Sequence, residues 1–390
     1  MKKRIIGLML AIVTVLTLSA PFAVSANSEP PTTELGDIVS TSVEYFPEYG
    51  FTITEEMDVD NRIMLTLERE EEDIPRQEQD IDVFEEAAII LEALGFSQLT
   101  IDTLTEEQAR NIAFDTQLEV KITYSTQDAL GNDVYLTPDR AYDIAERENN
   151  SEFASECLLP PSPLQFIQQS GLITPLSTRV GERNINFGVM TIRHFINRDF
   201  NDHARLTFFT EARWLSMPSR RWADSVGSVA SHISICHNTT MNLSFSYVRT
   251  FTSGNSSSSQ QFTTRSLAIS HISHDTFRGV AGRFDMPRDS INSCLWTGTF
   301  LNSTQHTNLV AVLNWTGFVS QPSVTRTFES IGSYYHNGSI FGTSTNASLS
   351  FGVSAGIPNT PLTVSASIGF SPTLGAAPTR RIVPLTVHRW

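Results

Sequence analysis

The residues best suited to binding a ligand form a short run in the second half of the chain: Arg213, Trp214, Arg220, Arg221 and Trp222. Arginine binds phosphate or carboxylate through paired hydrogen bonds, and tryptophan stacks on sugars and on guanidinium planes. These five residues are therefore the candidate ligand-binding site. The interpretation that we favour is structural: the tryptophans fill one end of a β-sheet core, and the arginines pair with carboxylates of the acidic N-terminal half.

A second motif with catalytic chemistry is G-x-S-x-G at residues 352–356, which places Ser354 where a nucleophile would stand. That chemistry requires a sharp turn from a strand into a helix, so that backbone N–H groups form an oxyanion hole. Pro358 and Pro361 follow, and then another strand pattern, so no helix can begin at the required point. We assign no catalytic residue and favour a non-catalytic protein.

Histidines near one another suggest metal binding at first sight, in the pairs His271 with His274 and His232 with His237. On a strand, residues an odd number apart point to opposite faces, so neither pair can hold one ion unless its segment is a loop. The sequence also contains no cysteine pairs at zinc spacing and no calcium loop. We therefore predict neither a metal site nor a cofactor.

The charges of the chain are divided between its two halves. Residues 27–180 contain 33 acidic and 8 basic residues, a net charge of −25, whereas residues 181–390 contain 9 acidic residues and 16 arginines, a net charge of +7. Two parts of opposite net charge either attract each other or bind different partners. The partners that we predict are the acidic half itself and a cell-wall polymer, polysaccharide or lipid surface, and a homo-oligomer is left open. Nucleic acid is excluded because the exported chain is acidic overall.

Residues 1–26 have the three parts of a signal peptide. Lys2, Lys3 and Arg4 precede the apolar run 5–18, and small residues at 24–26 suit a signal peptidase. We therefore predict a secreted bacterial protein that is located outside the cell or on its surface.

The acidic half divides into three segments by composition. Residues 27–45 are predicted to be a disordered leader, because prolines occur there without a hydrophobic period. Residues 46–149 alternate between strand and helix patterns and are predicted to form a small acidic α+β domain. Residues 150–180 are rich in proline and are predicted to be a linker, which is also a natural site for proteolysis.

Residues 181–390 are rich in serine and threonine and show the two-residue alternation of strands almost throughout. About ten short strands separated by turns predict a β-sandwich or a closed barrel-like domain. Residues 309–318 are apolar on both faces and are predicted to form a central strand. Cys236 and Cys294 are the cysteine pair of this domain, and they either form a disulfide or remain buried thiols.

Residues 331–379 contain no charged side chain, and within them two apolar alternations predict a hairpin. The apolar positions of the first arm include Leu349, Phe351 and Val353, and those of the second include Val364, Ile368 and Phe370. Each arm has about nine residues, close to the ~9–11 residues of a transmembrane β-strand. The hairpin could therefore insert into a membrane, although the interpretation that we favour is an ordinary hairpin of the sandwich.

Three functions of different kinds are consistent with this sequence. The first is a non-catalytic extracellular protein that binds or assembles at a surface through its β domain, with the acidic domain shielding it. The second is a pore-forming or membrane-active protein with an acidic pro-region and the hairpin at residues 347–370. The third is a secreted hydrolase that uses Ser354 or the histidine-rich segment.

Overall fold

The computed structural model describes most of the chain in segments. They are residues 37–70, 82–127, 133–156, 188–199, 202, 204–219, 221, 223–230, 233–235, 241–253, 257–267, 272–275, 279–293, 300–319, 328–336, 347–354, 363–370 and 379–387. The predicted signal peptide and the predicted cysteine pair, Cys236 and Cys294, lie outside these residues. Among the helices described here, none is long and apolar enough to cross a membrane.

Strands and helices alternate in the first part of the chain. They are β1 (Ile38–Phe46), β2 (Phe51–Asp58), β3 (Arg62–Arg69), α1 (Val83–Ala93), α2 (Gln98–Asp102), α3 (Glu106–Ala113), β4 (Gln117–Gln127), β5 (Asp133–Leu136) and α4 (Pro138–Glu156). Two helix ends follow from short local sequence patterns. Gly95 follows α1 with a φ of 77°, and Thr105 forms a capping box with Gln108 at the start of α3.

The structure differs from the sequence-based expectation at two boundaries. Residues 38–45, placed in the leader from the sequence, form most of β1, and α4 continues to Glu156 within the segment expected to be a linker. β1 is ordered by main-chain pairing with β2, and nearly all of its residues are exposed. Because neither face is buried, its sequence has no clear apolar period to mark it as a strand.

The second part of the chain consists of strands in the described segments. They are β6 (Val189–Arg198), β7 (Arg205–Ser216), β8 (Ala223–Ala230), β9 (Ile233–Ile235), β10 (Met241–Ser253), β11 (Ser257–Ser266), β12 (Ile272–Asp275), β13 (Gly279–Asp285), β14 (Ser290–Ser293), β15 (Phe300–Val319), β16 (Phe328–His336), β17 (Ala347–Ser354), β18 (Thr363–Phe370) and β19 (Thr379–Val387). The predicted central strand is confirmed, because β15 pairs with β7 on one side and β10 on the other.

The strands form three antiparallel sheets. The large sheet has twelve strands, with the path β1-β2-β3-β4-β6-β7-β15-β10-β11, and β5, β9 and β14 pair beside this path. The small sheet has the order β12-β13-β8-β16-β19, and β17 pairs with β18 alone. In the described part of the chain, β1 and β11 are the two ends of the large sheet and do not pair with each other. The closed barrel-like alternative is therefore wrong, and the fold is β-rich and sandwich-like.

One face of the large sheet packs on the small sheet through a core of large side chains. Trp214 and Trp315 of the large sheet and Tyr334 of the small sheet are fully buried there, and the Phe208 ring stacks on Trp315 with centroids 4.2 Å apart. Burial of each such side chain contributes roughly 1.5–3 kcal/mol to the free energy of folding.

The other face of the large sheet is covered by helices of the acidic half. Phe96, just after α1, packs edge-on against Phe195 of β6, with ring centroids 5.1 Å apart. Leu99 of α2 forms a buried cluster with Val310 and Val312 of β15. The described fold therefore has three layers, in the order helices, large sheet and small sheet.

A neutral histidine joins the two sheets. The ring of His194 on β6 is fully buried, with Nδ1 2.9 Å from Thr210 Oγ1 on β7 and Nε2 2.8 Å from Ser330 Oγ on β16. Gly332 gives this ring its space, since a Cβ at that position would lie 2.9 Å from the Cβ of His194. Burial lowers the pKa of His194 from 6.5 to about 3.

This low pKa predicts that acid weakens the fold through His194. Between pH 6.5 and about 3 the unfolded chain binds a proton at this residue and the folded chain does not. The contribution to the free energy of unfolding therefore falls by about 1.4 kcal/mol for each pH unit in that range. We expect the stability difference between the wild type and His194→Gln to shift against the wild type as the pH falls from 7 to 4, as measured by urea unfolding.

Asp115 provides the control because its pKa is shifted in the opposite sense. Burial raises the pKa of Asp115 to about 6, so the folded chain binds its proton at a higher pH than the unfolded chain. The stability difference between the wild type and Asp115→Asn should therefore shift in favour of the wild type as the pH falls below 6. A difference for His194→Gln that does not change with pH would contradict the assignment.

Candidate functional site

The described residues of the arginine and tryptophan run make contacts inside the protein. Trp214 is fully buried, its Nε1 donates to the Tyr334 hydroxyl at 2.9 Å, and its ring lies edge-on to His336. Arg221 is buried, and its Nη1 lies 2.8 Å from Asp289 Oδ1. Arg213 is half-buried on β7. Arg220 and Trp222 lie outside the described residues, so ligand binding by this run remains a prediction that depends on those two.

A buried carboxylate links three strands around Trp214. Asp224 of β8 accepts a hydrogen bond from the Tyr334 hydroxyl of β16, and its two oxygens lie 3.0 and 3.1 Å from His336 Nδ1. The Tyr334 hydroxyl also accepts the bond from Trp214 of β7, so the network extends from the small sheet to the large one. A carboxylate that orients an imidazole is also a component of nucleophilic catalysis. Here both groups are buried in the core, and their position suits cohesion between the sheets.

A second carboxylate and imidazole pair is formed by Asp289 and His306 of β15. Asp289 Oδ1 is 3.1 Å from His306 Nδ1, and it accepts a hydrogen bond from the backbone N–H of His306 at 2.7 Å. The ring of His306 packs edge-on against Tyr247, and Arg221 approaches the same carboxylate oxygen. Asp289 therefore joins the segment around Arg221 to the long central strand.

The remaining candidate residues for chemistry are separated in the described part of the chain. No group of three or more metal-ligating side chains occurs among the described residues. His274 lies on β12, opposite Val280 of β13, whereas His232, His237 and His271 lie outside the description. Ser354 is the last residue of β17 and pairs with Thr363 of β18.

Main-chain pairing joins the acidic half to the arginine-rich half. β4 pairs with β6 from Val120 opposite Phe195 to Ser125 opposite Met190, so the large sheet runs through both halves. Among charged contacts that cross between the halves, Arg205 pairs with Glu107 at the surface. Exposed pairs of this kind contribute about 0.2–1 kcal/mol, so pairing and apolar packing are the larger contributors to the junction.

Glu211 of β7 is the central polar group of that junction. Its carboxylate accepts hydrogen bonds from the backbone N–H of Ser97 at 3.0 Å and from the hydroxyls of Ser97 and Thr100 at the start of α2. Arg193 Nη1 lies 3.4 Å from its other oxygen, and the guanidinium of Arg193 also lies over the Phe96 ring. Gly95 leaves space for Arg193, since a Cβ there would lie 3.1 Å from Nη2.

The exposed surfaces with the clearest capacity for contact are the two ends of the large sheet. β1 is exposed along its length as far as Tyr45, and Val43 and Tyr45 are 66% and 62% exposed. On β11, the described side chains are mostly exposed, and Phe262 is 63% exposed. In the described structure each of these strands pairs on one side, so each presents a row of unpaired main-chain groups.

The hairpin predicted from the uncharged segment forms as an antiparallel pair with the expected register. Leu349 lies opposite Ile368, Val353 lies opposite Val364, and Phe351 lies opposite Ala366. Phe370 lies opposite Ala347, so the predicted apolar positions pair with apolar positions throughout.

The chain matches no protein-family model, and no curated protein is similar to it.

Two buried polar residues outside the candidate set, Glu211 and His194, can be recognised as core positions from the sequence. Glu211 interrupts an apolar strand in the half of the chain that has few acids, and a charge at such a position requires a partner. His194 lies in the alternation of Met190, Ile192 and Ile196, which marks it as a core position. The partners of both residues are far away in sequence and could not be identified by spacing.

The position of Glu211 predicts a large loss of stability when its charge is removed. In Glu211→Gln, Arg193 would remain buried without its carboxylate, and α2 would lose the anion at its first turn. We expect the free energy of unfolding to fall by about 3 kcal/mol, as measured by urea denaturation.

The matched control is Glu92→Gln on the exposed side of α1. A surface substitution of this kind should change stability by about 0.5 kcal/mol or less. Equal effects of the two substitutions would show that Glu211 does not hold the junction.

Proposed function

We propose that this chain is a secreted bacterial protein that acts outside the cell by contact rather than by catalysis. It binds or assembles at an extracellular surface through its β-rich part. The observation that carries the proposal is the exposure of the two long edge strands, β1 and β11, along most of their described length. The carboxylate and imidazole pair with catalytic character, by contrast, has internal partners, since Asp224 contacts both His336 and the Tyr334 hydroxyl.

We also propose that residues 46–149 act as a small acidic α+β domain that shields the β domain. Its helices lie over one face of strands that belong to the arginine-rich half, through Phe96 on Phe195 and Leu99 on Val310. That face would otherwise be an apolar patch, and large exposed apolar patches promote association. The shield leaves the β11 edge open to a partner.

The partners that we propose are an anionic cell-wall polymer, a polysaccharide or a lipid surface. Arg249 of β10 and Arg265 of β11 are exposed, and their side chains lie on the same face of neighbouring strands. Neither strand contains an acidic residue. Guanidinium groups in such an arrangement suit phosphate and carboxylate groups along a polymer.

This site predicts that polymer binding depends on charge. We expect the mature chain to be retained on purified anionic wall polymer at low salt and to be released as the salt concentration rises, because exposed charges are screened. The double variant Arg249→Ala with Arg265→Ala should bind at least several-fold more weakly in a sedimentation assay. Arg110→Ala, which removes a partly exposed arginine of α3, is the matched control and should bind as the wild type does. Retention that is equal in all three proteins would contradict the site.

A second function is favoured by one specific feature, the separate β17–β18 hairpin. This pair forms a sheet of its own, and its register places the apolar positions opposite one another. A hairpin of this pattern is suited to membrane insertion after removal of an acidic pro-region.

The membrane alternative predicts dye release from liposomes after cleavage between residues 149 and 178. Phe351→Asp places a charge at an apolar position of β17 and should abolish that release, whereas Ser350→Asp at the neighbouring hydroxyl position should preserve it. Absence of release from the wild type, both before and after cleavage, would exclude pore formation.

A further inference from the structure

The two edge strands lack most of the features that usually protect an exposed sheet edge. β1 has one bulge, between Ile38 and Ser40, and its pairing with β2 is regular from Ser40 to Phe46. Natural edges carry lysine or proline, or they are very short. β1 has nine residues and β11 has ten, and neither contains lysine or proline. Edges of this length and composition are suited to pairing with another strand.

The two edges carry opposite charges. β1 and β2 contain Glu44, Glu55 and Glu56, and they contain no lysine or arginine. Asp58, the last residue of β2, is buried and pairs with Arg62 of β3, so it does not add to the charge of the edge. β10 and β11 contain Arg249 and Arg265 and no aspartate or glutamate. The charge difference between the halves of the chain therefore becomes a difference between the two ends of one sheet.

The direction of the strands limits how the two edges can meet. Every pairing along the path from β1 to β11 is antiparallel, and the path has nine strands, so its two end strands run in the same direction. An antiparallel pair between β11 of one copy and β1 of the next therefore requires the second copy to be turned over. Turning it over reverses strand direction and exchanges the helix face with the face of the small sheet.

Turning the second copy over brings apolar side chains of the two copies together on one face and oppositely charged side chains together on the other. Val43 and Tyr45 lie on the small-sheet face of the large sheet and Phe262 lies on its helix face, so the reversal brings these three together. Glu44 lies on the helix face and Arg265 lies on the small-sheet face, so the reversal also brings these two residues together. A register that sets Tyr45 opposite Phe262 places Glu44 diagonal to Arg265, which is within reach of long side chains.

We propose that copies of this chain join end to end, with β11 of one copy pairing antiparallel with β1 of the next. The contact uses two different surfaces, so it is heterologous and leaves one free edge of each kind at the ends of the assembly. The product is an open linear chain of molecules whose alternate copies are turned over. This inference rests on the proposed contact function and gives it a partner, a second copy of the same protein.

Charge reversal at the two edges provides the test. Glu44→Arg gives a protein with arginine at both edges, and Arg265→Glu gives a protein with glutamate at both edges. We expect the wild-type mature chain to form concentration-dependent linear assemblies at low salt in sedimentation velocity and electron microscopy. Each variant alone should assemble at least tenfold less at the same concentration.

Mixing the two variants distinguishes a specific contact from general aggregation. In the mixture the β1 edge altered by Glu44→Arg meets the β11 edge altered by Arg265→Glu, so arginine again faces glutamate. The unchanged β11 edge of the first variant likewise meets the unchanged β1 edge of the second. Assembly should therefore return in the mixture, with the two variants alternating. A mixture that assembles no better than either variant alone would overturn the inference, as would a wild type that stays monomeric at every concentration.

Two further variants check that a loss of assembly is not caused by misfolding, and a retention assay separates assembly from polymer binding. Val43→Lys should block assembly, and Phe84→Lys, at an exposed position of α1, should not. Circular dichroism should be the same for all variants, and assembly that persists in Val43→Lys would count against the β1 edge. Retention on wall polymer without self-association would overturn this inference and leave the proposed function intact. Assembly without retention on wall polymer would support this inference and contradict the anionic polymer as a partner.

Discussion

Main-chain pairing between β4 and β6 is the interaction on which the rest of the structure depends. It makes one sheet from two parts of the chain that differ in composition, and it brings α1 and α2 over strands of the arginine-rich half. The buried carboxylate of Glu211 is stabilised by Arg193 and by Ser97 and Thr100, and the pairing of β4 with β6 places the last two beside it. The acidic half is therefore part of the core of the described fold and not only a surface neighbour of the β strands.

Opposite net charge plays a smaller part in this cohesion than the composition suggests. The ion pair at the centre of the junction, Arg193 with Glu211, is formed by two residues of the arginine-rich half. Among the described residues, Arg205 and Glu107 form an ion pair that crosses between the halves, and it lies near the surface, where such pairs contribute about 0.2–1 kcal/mol. Apolar burial at roughly 25 cal/mol per Å² is the larger contribution. Because cohesion does not require them, the charges at the sheet ends remain available to select a partner.

Local features of the fold could be predicted from the sequence, and distant contacts could not. Helix ends at Gly95 and Thr105 depend on neighbouring residues, and the register of the β17–β18 hairpin follows from alternation within each arm. The pairing of β4 with β6 bridges a long proline-rich segment, and no spacing reveals it. The inward position of Trp214 was visible in principle, because it shares its alternation with Phe208 and Ala212, which are core residues.

The same difference between local features and distant contacts explains why two of the candidate ligand-binding residues turned out to be buried in the structure. From residue type, Trp214 and Arg221 were candidates for ligand binding, and a structural role was the favoured interpretation. The structure gives both residues internal partners, but Arg221 pairs with Asp289 of the arginine-rich half and not with the acidic half. Among the described residues, the exposed groups best placed for contact are the main chain and the flanking side chains at the two sheet ends. Main-chain hydrogen bonds carry little information about the partner's sequence, so specificity has to come from the few side chains that flank them. In this chain Glu44 and Arg265 supply charge, and Tyr45 and Phe262 supply apolar area. A contact that depends on so few side chains should be weak singly and effective where many copies are concentrated on one surface.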